Sequence, residues 1–155
     1  INNYHTICSM GVYDRFKKKR EGLRQLVELL ESTPKVRRQK LIDVGMAEDA
    51  KYTELALQYV ITFEDILKMS KFELAELVAK APPRTIAFAI KKLAEDIILR
   101  FLQCSQPKVM AQIKDDLGVE ISMAEIGSAQ LKMITITREL EKQGTLNLKK
   151  IPLSE

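Results

Sequence analysis

The chain has no tryptophan, one histidine and two cysteines in 155 residues, and only 6% of it is aromatic. His5 stands near the start, and one imidazole makes neither a histidine-based metal site nor a Ser–His–Asp triad. Cys8 and Cys104 are far apart and match no ligand spacing, so they read as reduced cytosolic thiols rather than a disulfide framework. Neither GxxxxGK(S/T) nor GxGxxG occurs, which excludes a phosphate cradle of either type. No apolar run approaches the ~20 residues that cross a bilayer. Two carboxylate pairs exist, Glu64-Asp65 and Asp115-Asp116, but sequence neighbours on a helix point about 100° apart and do not converge on one substrate. General acid–base work also needs tuned pKa values, which nothing in these two contexts supplies. The expectation is a protein that is not an enzyme and needs no cofactor or metal.

What is present is enough apolar residue, 46%, for a real core, and a charged fraction of 30% with both signs interspersed. That length fits one domain or two small ones. The net charge of +4 owes much to one run, Arg15-Phe-Lys-Lys-Lys-Arg20. Such a run can touch nucleic acid or an anionic membrane, but no aromatic platform or Gly-rich loop accompanies it, and a solvated helix start is the plainer reading. The six methionines are dispersed, and Met69, Met110 and Met133 read as core filler.

The pattern is helical throughout, with about eight or nine helices and no convincing strand. Residues 1–14 are ambiguous between a strand and an unstructured arm. Leu23, Leu26, Val27 and Leu30 form one face of a helix opening at Gly22. Thr33-Pro34 reads as N-cap and first position of the next helix, which buries Val36, Leu41, Ile42 and Val44 and stops at Gly45. A third helix carries Tyr52, Leu55, Leu57 and Val60. Three short helices in succession suggest an armadillo-like or HEAT-like unit, which stacks on a neighbour to cover its apolar faces. Further on, Ser70-Lys-Phe-Glu73 and Ser122-Met-Ala-Glu125 are capping boxes, the second opening the longest helix, which Gly144 closes. The tail TLNLKKIPL alternates weakly, as a short extended segment would. Between the boxes, Phe101–Leu117 reads as a short amphipathic helix with Pro107 near its start. Val109, Ile113 and Leu117 line its buried stripe, and Lys108, Lys114, Asp115 and Asp116 fall off that stripe.

Several segments in order resemble a known family. From Phe63-Glu-Asp-Ile66 to Leu117 without a gap, and again from Ile121 through Ala129-Gln130 and Arg138-Glu-Leu140 to Gly144, the chain is similar to the C-terminal domain of the FliG family of flagellar motor switch proteins. Leu74-Ala-Glu-Leu-Val78 looks like that domain's second helix, and Ala87-Phe-Ala-Ile-Lys91 like its ALALK signature. Upstream, Gly22 to Val60 resembles the armadillo-like unit that precedes the domain in the family, so the likeness covers roughly residues 20–150.

The resemblance implies an all-α fold: an armadillo-like right-handed helical superhelix of two small helical units joined by a hinge. It divides the chain into an N-terminal arm (1–20), an armadillo-like unit (21–60) and a C-terminal domain carrying a torque helix (61–155). It implies a rotor component on the cytoplasmic side of the inner membrane, without direct membrane insertion, acting in torque transfer and direction switching. The implied partners are the cytoplasmic loop of the stator protein MotA, FliM, and neighbouring FliG subunits. Carried over by position, Lys91, Lys108, Asp115 and Asp116 would face the stator.

Three departures stand beside the likeness. The family's Met-Phe-x-Phe hinge is Val60-Ile61-Thr62-Phe63 here, stiffer because three of the four residues are β-branched. A further basic position falls on Ser122, after a loop (Gly118-Val-Glu120) about two residues short. The Gly-Gly pair that usually opens the armadillo unit is Glu21-Gly22. The chain opens on Ile1 rather than Met and lacks the family's N-terminal membrane-ring domain, as a fragment would. The alternative from another class is a basic helical nucleic-acid binder using Arg15–Arg20 and Lys35–Lys40, or a helical adaptor; the motor reading expects no nucleic acid.

Overall fold

The computed structural model describes residues 11–153, and ten helices and no strand occur among them. The expectations for residues 1–10, His5 and Cys8 included, lie outside the described residues. The chain divides into two compact units, one before Ile61 and one spanning Ile61–Leu148, and residues 149–153 cluster with the first.

The first unit holds α1 (Val12–Lys18), α2 (Gly22–Ser32), α3 (Lys35–Glu48) and α4 (Ala50–Tyr59). On α2, Leu26, Val27 and Leu30 repeat at helical spacing and are buried. They meet Tyr13, Ala56, Val60 and Ile151 in one core. Tyr13 thus draws part of the expected N-terminal arm into the unit: its hydroxyl donates to the Leu41 carbonyl at 2.6 Å. Gly22 sits where α1 turns into α2, and a Cβ there would fall 1.5 Å from the Phe16 carbonyl oxygen. Gly22→Ala is therefore expected to cost about 1–3 kcal/mol, because backbone must move to admit it. Thermal melting of the first unit checks this, and an unchanged midpoint would refute the close approach.

Helix α3 departs from expectation at both ends. It starts at Lys35, and the Thr33 hydroxyl donates back to the Leu29 carbonyl at 2.6 Å, so Thr33 closes α2 instead of opening α3. The helix also runs through Gly45, which is buried, to Glu48. Leu41, Ile42 and Gly45 centre its inner face, which leaves Val36 on the opposite side, 72% exposed, and Val44 on the flank. Leu55 of α4 is likewise exposed, and Thr53 and Ala56 take the inner positions expected for larger residues.

Asp49 caps α4, accepting from the Tyr52 N–H at 3.1 Å and from Lys17 Nζ at 2.8 Å. The Lys17 ammonium first, and the Tyr52 N–H second, hold the Asp49 carboxyl below its ordinary value of 3.8. A carboxyl lower in the folded than in the unfolded state stabilises above the unfolded value and loses that contribution as pH falls through the folded one. Melting curves of the parent and Asp49→Asn should differ most near neutral pH and converge in acid below 3.8. Equal separation at every pH would contradict the pairing.

The second unit holds α5 (Phe63–Leu67), α6 (Lys71–Lys80), α7 (Pro83–Ile90), α8 (Glu95–Gln103), α9 (Pro107–Leu117) and α10 (Met123–Lys142). Its starts are well marked: capping boxes at Thr62/Asp65, Ser70/Glu73 and Ser122/Glu125, and proline at the first position of α7 and α9. The stretch 101–117 is thus two helices, the end of α8 and all of α9. Helix α7 is the centre of the unit. Its Thr85, Ile86, Ala87, Ala89 and Ile90 are all buried, and α9 and α10 both pack on it. The small Ala87 and Ala89 let neighbouring helices approach closely. Arg100 of α8 donates to the carbonyls of Leu67 and Met69, satisfying the free end of α5. Gly144, at φ +84°, ends α10 in the left-handed conformation, and the Thr145 N–H returns to the Leu140 carbonyl at 2.9 Å. The tail that follows is not a strand; Leu146 is buried in the second unit and Ile151 in the first.

Candidate functional site

Helix α9 is held by its apolar side. Ile113 is fully buried, and Val109, Met110 and Leu117 pack half-buried against the same core. The charged positions divide. Lys108, Lys114 and Asp115 are exposed. Among the described residues none of these three makes an ion pair or a side-chain hydrogen bond. Lys108 and Asp115 are seven residues apart, two helical turns, so they lie on one line about 10 Å from each other.

Asp116 differs. It was expected on the charged surface beside Asp115, and it is 3% exposed. One carboxylate oxygen accepts from Arg84 Nη2 at 3.5 Å, and the other from Gln112 Nε2 at 3.2 Å. The cause is helical phase: Asp116 is seven residues after Val109 and three after Ile113, so it falls on the buried side. Asp116 thus joins α9 to α7 and does not present its charge outward. The cation at the surface here is Arg84, whose side chain is 67% exposed and whose guanidinium lies 5.7 Å from the Phe88 ring centre. Arg84 was not singled out in the sequence, because its partner is 32 residues away. Gln112 had a readable signal, the i,i+4 spacing to Asp116.

Lys91 follows α7 directly and is half-buried, with no ion pair among the described residues. Ser122, standing where a further cation was expected, spends its hydroxyl capping α10 and accepts from the Glu125 N–H at 3.2 Å. Beside Arg84 an open groove of about 380 Å³ runs between α7 and α10, lined by Thr85, Phe88, Ala124, Ser128 and Lys132 among others. Its two hydroxyl side chains, Thr85 and Ser128, make no hydrogen bond to Glu125 or Lys132 among the described residues. No cluster of three or more potential metal ligands occurs among the described residues, and no helix is long and apolar enough to cross a membrane.

The four positions expected to form a hinge, Val60 to Phe63, differ in their surroundings. Val60 is 5% exposed and packs in the first core, whereas Ile61 is fully buried in the second. Thr62 caps α5, its N–H donating to Asp65 at 2.8 Å, and Phe63 is the first residue of that helix.

Over residues 46–148 the sequence matches the family described as the FliG C-terminal domain. It is 26% identical over 144 residues to the flagellar motor switch protein FliG of Aquifex aeolicus, covering 92% of this chain and 43% of that protein. To the FliG of Thermotoga maritima it is 22% identical over 138 residues, covering 88% and 41%. The chain therefore spans about two-fifths of the length of these relatives. Among solved structures, residues 86–343 of Helicobacter pylori FliG match with a TM-score of 0.59 at 22% identity, covering 88% of this chain and 65% of that one. Full-length Aquifex aeolicus FliG matches with 0.51 at 25% identity, covering 91% and 44%.

Proposed function

Since this chain belongs to the FliG C-terminal domain family, we propose that it is a rotor component of the bacterial flagellar motor, transmitting torque from the stator through α9 and taking part in direction switching. The observation that carries the reading is the Lys108–Asp115 line: two opposite charges, two turns apart, exposed and without an ion pair among the described residues. Charges without an internal partner cost nothing to keep hydrated and are available to an external one. Exposed pairs are worth ~0–1 kcal/mol each and attract over roughly a Debye length. That suits a contact that must form and break with every passing stator unit.

In this reading Lys108 and Asp115 meet opposite charges on the cytoplasmic loop of MotA, with Lys91 extending the surface. Asp116 contributes through Arg84: its carboxylate holds the guanidinium, and the exposed guanidinium supplies the charge. FliM is the second partner. The exposed apolar residues of the first unit, Val36 and Val44 foremost, stack on an armadillo-like unit of a neighbouring subunit. The protein sits at the flagellar basal body, peripheral to the cytoplasmic face of the inner membrane. It acts by contact, not catalysis.

The nucleic-acid alternative loses support. Lys17 is engaged with Asp49 and lies 5.9 Å from the Tyr52 ring centre, and Arg38 donates to the Thr33 carbonyl. The end of α1 at Lys17 is pinned beside Asp49, whereas Lys35–Lys40 lie at the opposite end of α3, about 15–20 Å away along its axis. The two basic runs therefore do not form one patch.

Charge reversal tests the proposal. Lys108→Asp or Asp115→Lys alone is expected to lower swimming speed, and the double reversal to lower it further, with filaments still assembled and melting unchanged. Reversed charges on the stator loop should restore speed. Full motility in the double reversal would overturn the torque assignment.

A further inference from the structure

Thr85 is an exception among the threonines inside helices. The hydroxyls of Thr53, Thr135 and Thr137 each donate to the carbonyl four residues back, at 2.8, 3.1 and 2.8 Å. Thr85, in the first turn of α7, is 9% exposed, yet its hydroxyl makes no hydrogen bond among the described residues. A covered hydroxyl without a partner costs free energy. Thr85 lines the groove between α7 and α10. Half-buried Phe88 stands one turn further along the same wall. On the α10 side Ala124, Ser128 and Lys132 follow at four-residue spacing, and the small Ala129, 7% exposed, lies deeper. From Ala124 to Lys132 is about 12 Å of helix, a little over two turns.

Three charged side chains line this groove, and the anion is turned away from it. Glu125 folds back to the start of α10, where its Oε2 accepts from the Ser122 N–H at 2.7 Å and from the Ser122 hydroxyl at 3.2 Å. Lys132 is exposed and makes no ion pair or side-chain hydrogen bond among the described residues. Arg84 reaches Asp116 through one nitrogen at 3.5 Å and keeps 67% of its side chain exposed. A guanidinium has five N–H donors, so most of its capacity faces outward. The groove thus offers an aromatic wall, an unpartnered hydroxyl and two cations.

An open groove does not enclose a small molecule, whose sites cover about 70–90% of the ligand surface. No strand edge occurs among the described residues to pair with an extended peptide, and one aromatic ring is not the lined cleft that a polyproline segment uses. A helix laid in the groove needs one apolar anchor per turn, which two turns of wall can seat. We propose that the α7–α10 groove is a docking site for an acidic amphipathic helix of a partner protein. Its apolar side chains pack on Phe88 and Ala129. One carboxylate accepts from the Thr85 hydroxyl and Arg84, and a second meets Lys132. This surface shares only Arg84 with the stator-facing charges, and it stands whether or not α9 bears torque.

The probe is a synthetic helix of about 18 residues of Leu, Ala and Glu, with leucines along one face and glutamates flanking them. A second peptide with every Glu replaced by Lys is the control. Each is titrated into the whole chain, and NMR amide shifts at Thr85, Phe88 and Ser128 report docking. The acidic peptide is expected to bind at least about tenfold more tightly than the lysine peptide. Thr85→Val keeps the shape and removes the hydroxyl. It should leave the melting temperature unchanged or slightly raised and weaken binding about fivefold. A lowered melting temperature with unchanged binding would make the hydroxyl structural and overturn its assignment. Ser128→Trp, at an exposed position, fills the groove and should abolish the shifts with helix content kept. Lys132→Glu should weaken binding about three- to fivefold. Equal binding of the two peptides, shifts that persist in Ser128→Trp, or no shift at about 1 mM acidic peptide overturns the docking site.

Discussion

Asp116→Lys is expected to unfold the second unit or bring it close to unfolding, whereas Asp115→Lys, one position away, leaves its melting temperature unchanged. The two carboxylates share a charge and a helix but not an environment. Asp116 is 3% exposed and accepts from Arg84 and Gln112, while Asp115 is in water. A lysine at 116 would place a second cation against the Arg84 guanidinium and remove the acceptor of the Gln112 amide. Breaking a buried pair by removing one partner costs about 3–5 kcal/mol. Arg84 is largely solvated, so the cost falls at the lower end of that range. On a unit of this size, each kcal/mol lowers the midpoint by about 4–8 °C. Asp116→Asn keeps one acceptor and should cost about 1 kcal/mol. Circular dichroism melts of the three variants decide the matter. If Asp116→Lys melts with the parent, the α7–α9 tie is not what holds α9. The consequence for function is direct: lost motility in Asp116→Lys reports a lost fold, and only Asp115→Lys reports a lost contact.

Local signals were the legible part of the fold. The boxes at Ser70 and Ser122 and the prolines at 83 and 107 mark helix starts because their chemistry is complete within four residues. The box at Thr62 is harder to read because its third helical residue is Asp rather than Glu or Gln. Thr33 is ambiguous in sequence because a hydroxyl between two helices can close one or open the other, and here it bonds back to Leu29. Val36 misled because α3 carries apolar residues on more than one side, so its phase cannot be read from hydrophobicity; the small Gly45 against Tyr13 sets it.

At the candidate site, the sequence located α9 and its buried stripe but treated every charge off the i,i+4 row as exposed. The i,i+7 relation from Val109 to Asp116 was available and points inward. Arg84 could not be found this way, since a contact across 32 residues leaves no local trace. Sequence likeness gave the positions of Lys91, Lys108, Asp115 and Asp116. It could not say that one of the four serves as an internal anchor.

Glu141→Ala is expected to be the most damaging single truncation in α10. The second half of this helix buries one face, on which Met133, Ile134, Thr137, Arg138, Leu140 and Glu141 are all covered. Two of these carry charge, and their side chains are 4% and 1% exposed with Arg138 Nη1 at 3.1 Å from Glu141 Oε2. Such charges are tolerable in low dielectric only as a pair. Truncating Glu141 leaves the guanidinium buried without this carboxylate, at a cost of about 3–5 kcal/mol. That lowers the unit's midpoint by roughly 10 °C or more. Arg138→Met together with Glu141→Leu, which replaces both charges by apolar groups of similar volume, should recover most of the loss, because a buried pair contributes little net stability over a packed apolar one. A double variant that melts as low as Glu141→Ala would show that the pair does more than neutralise itself. In that case the charges would be stabilising α10 through neighbours beyond each other.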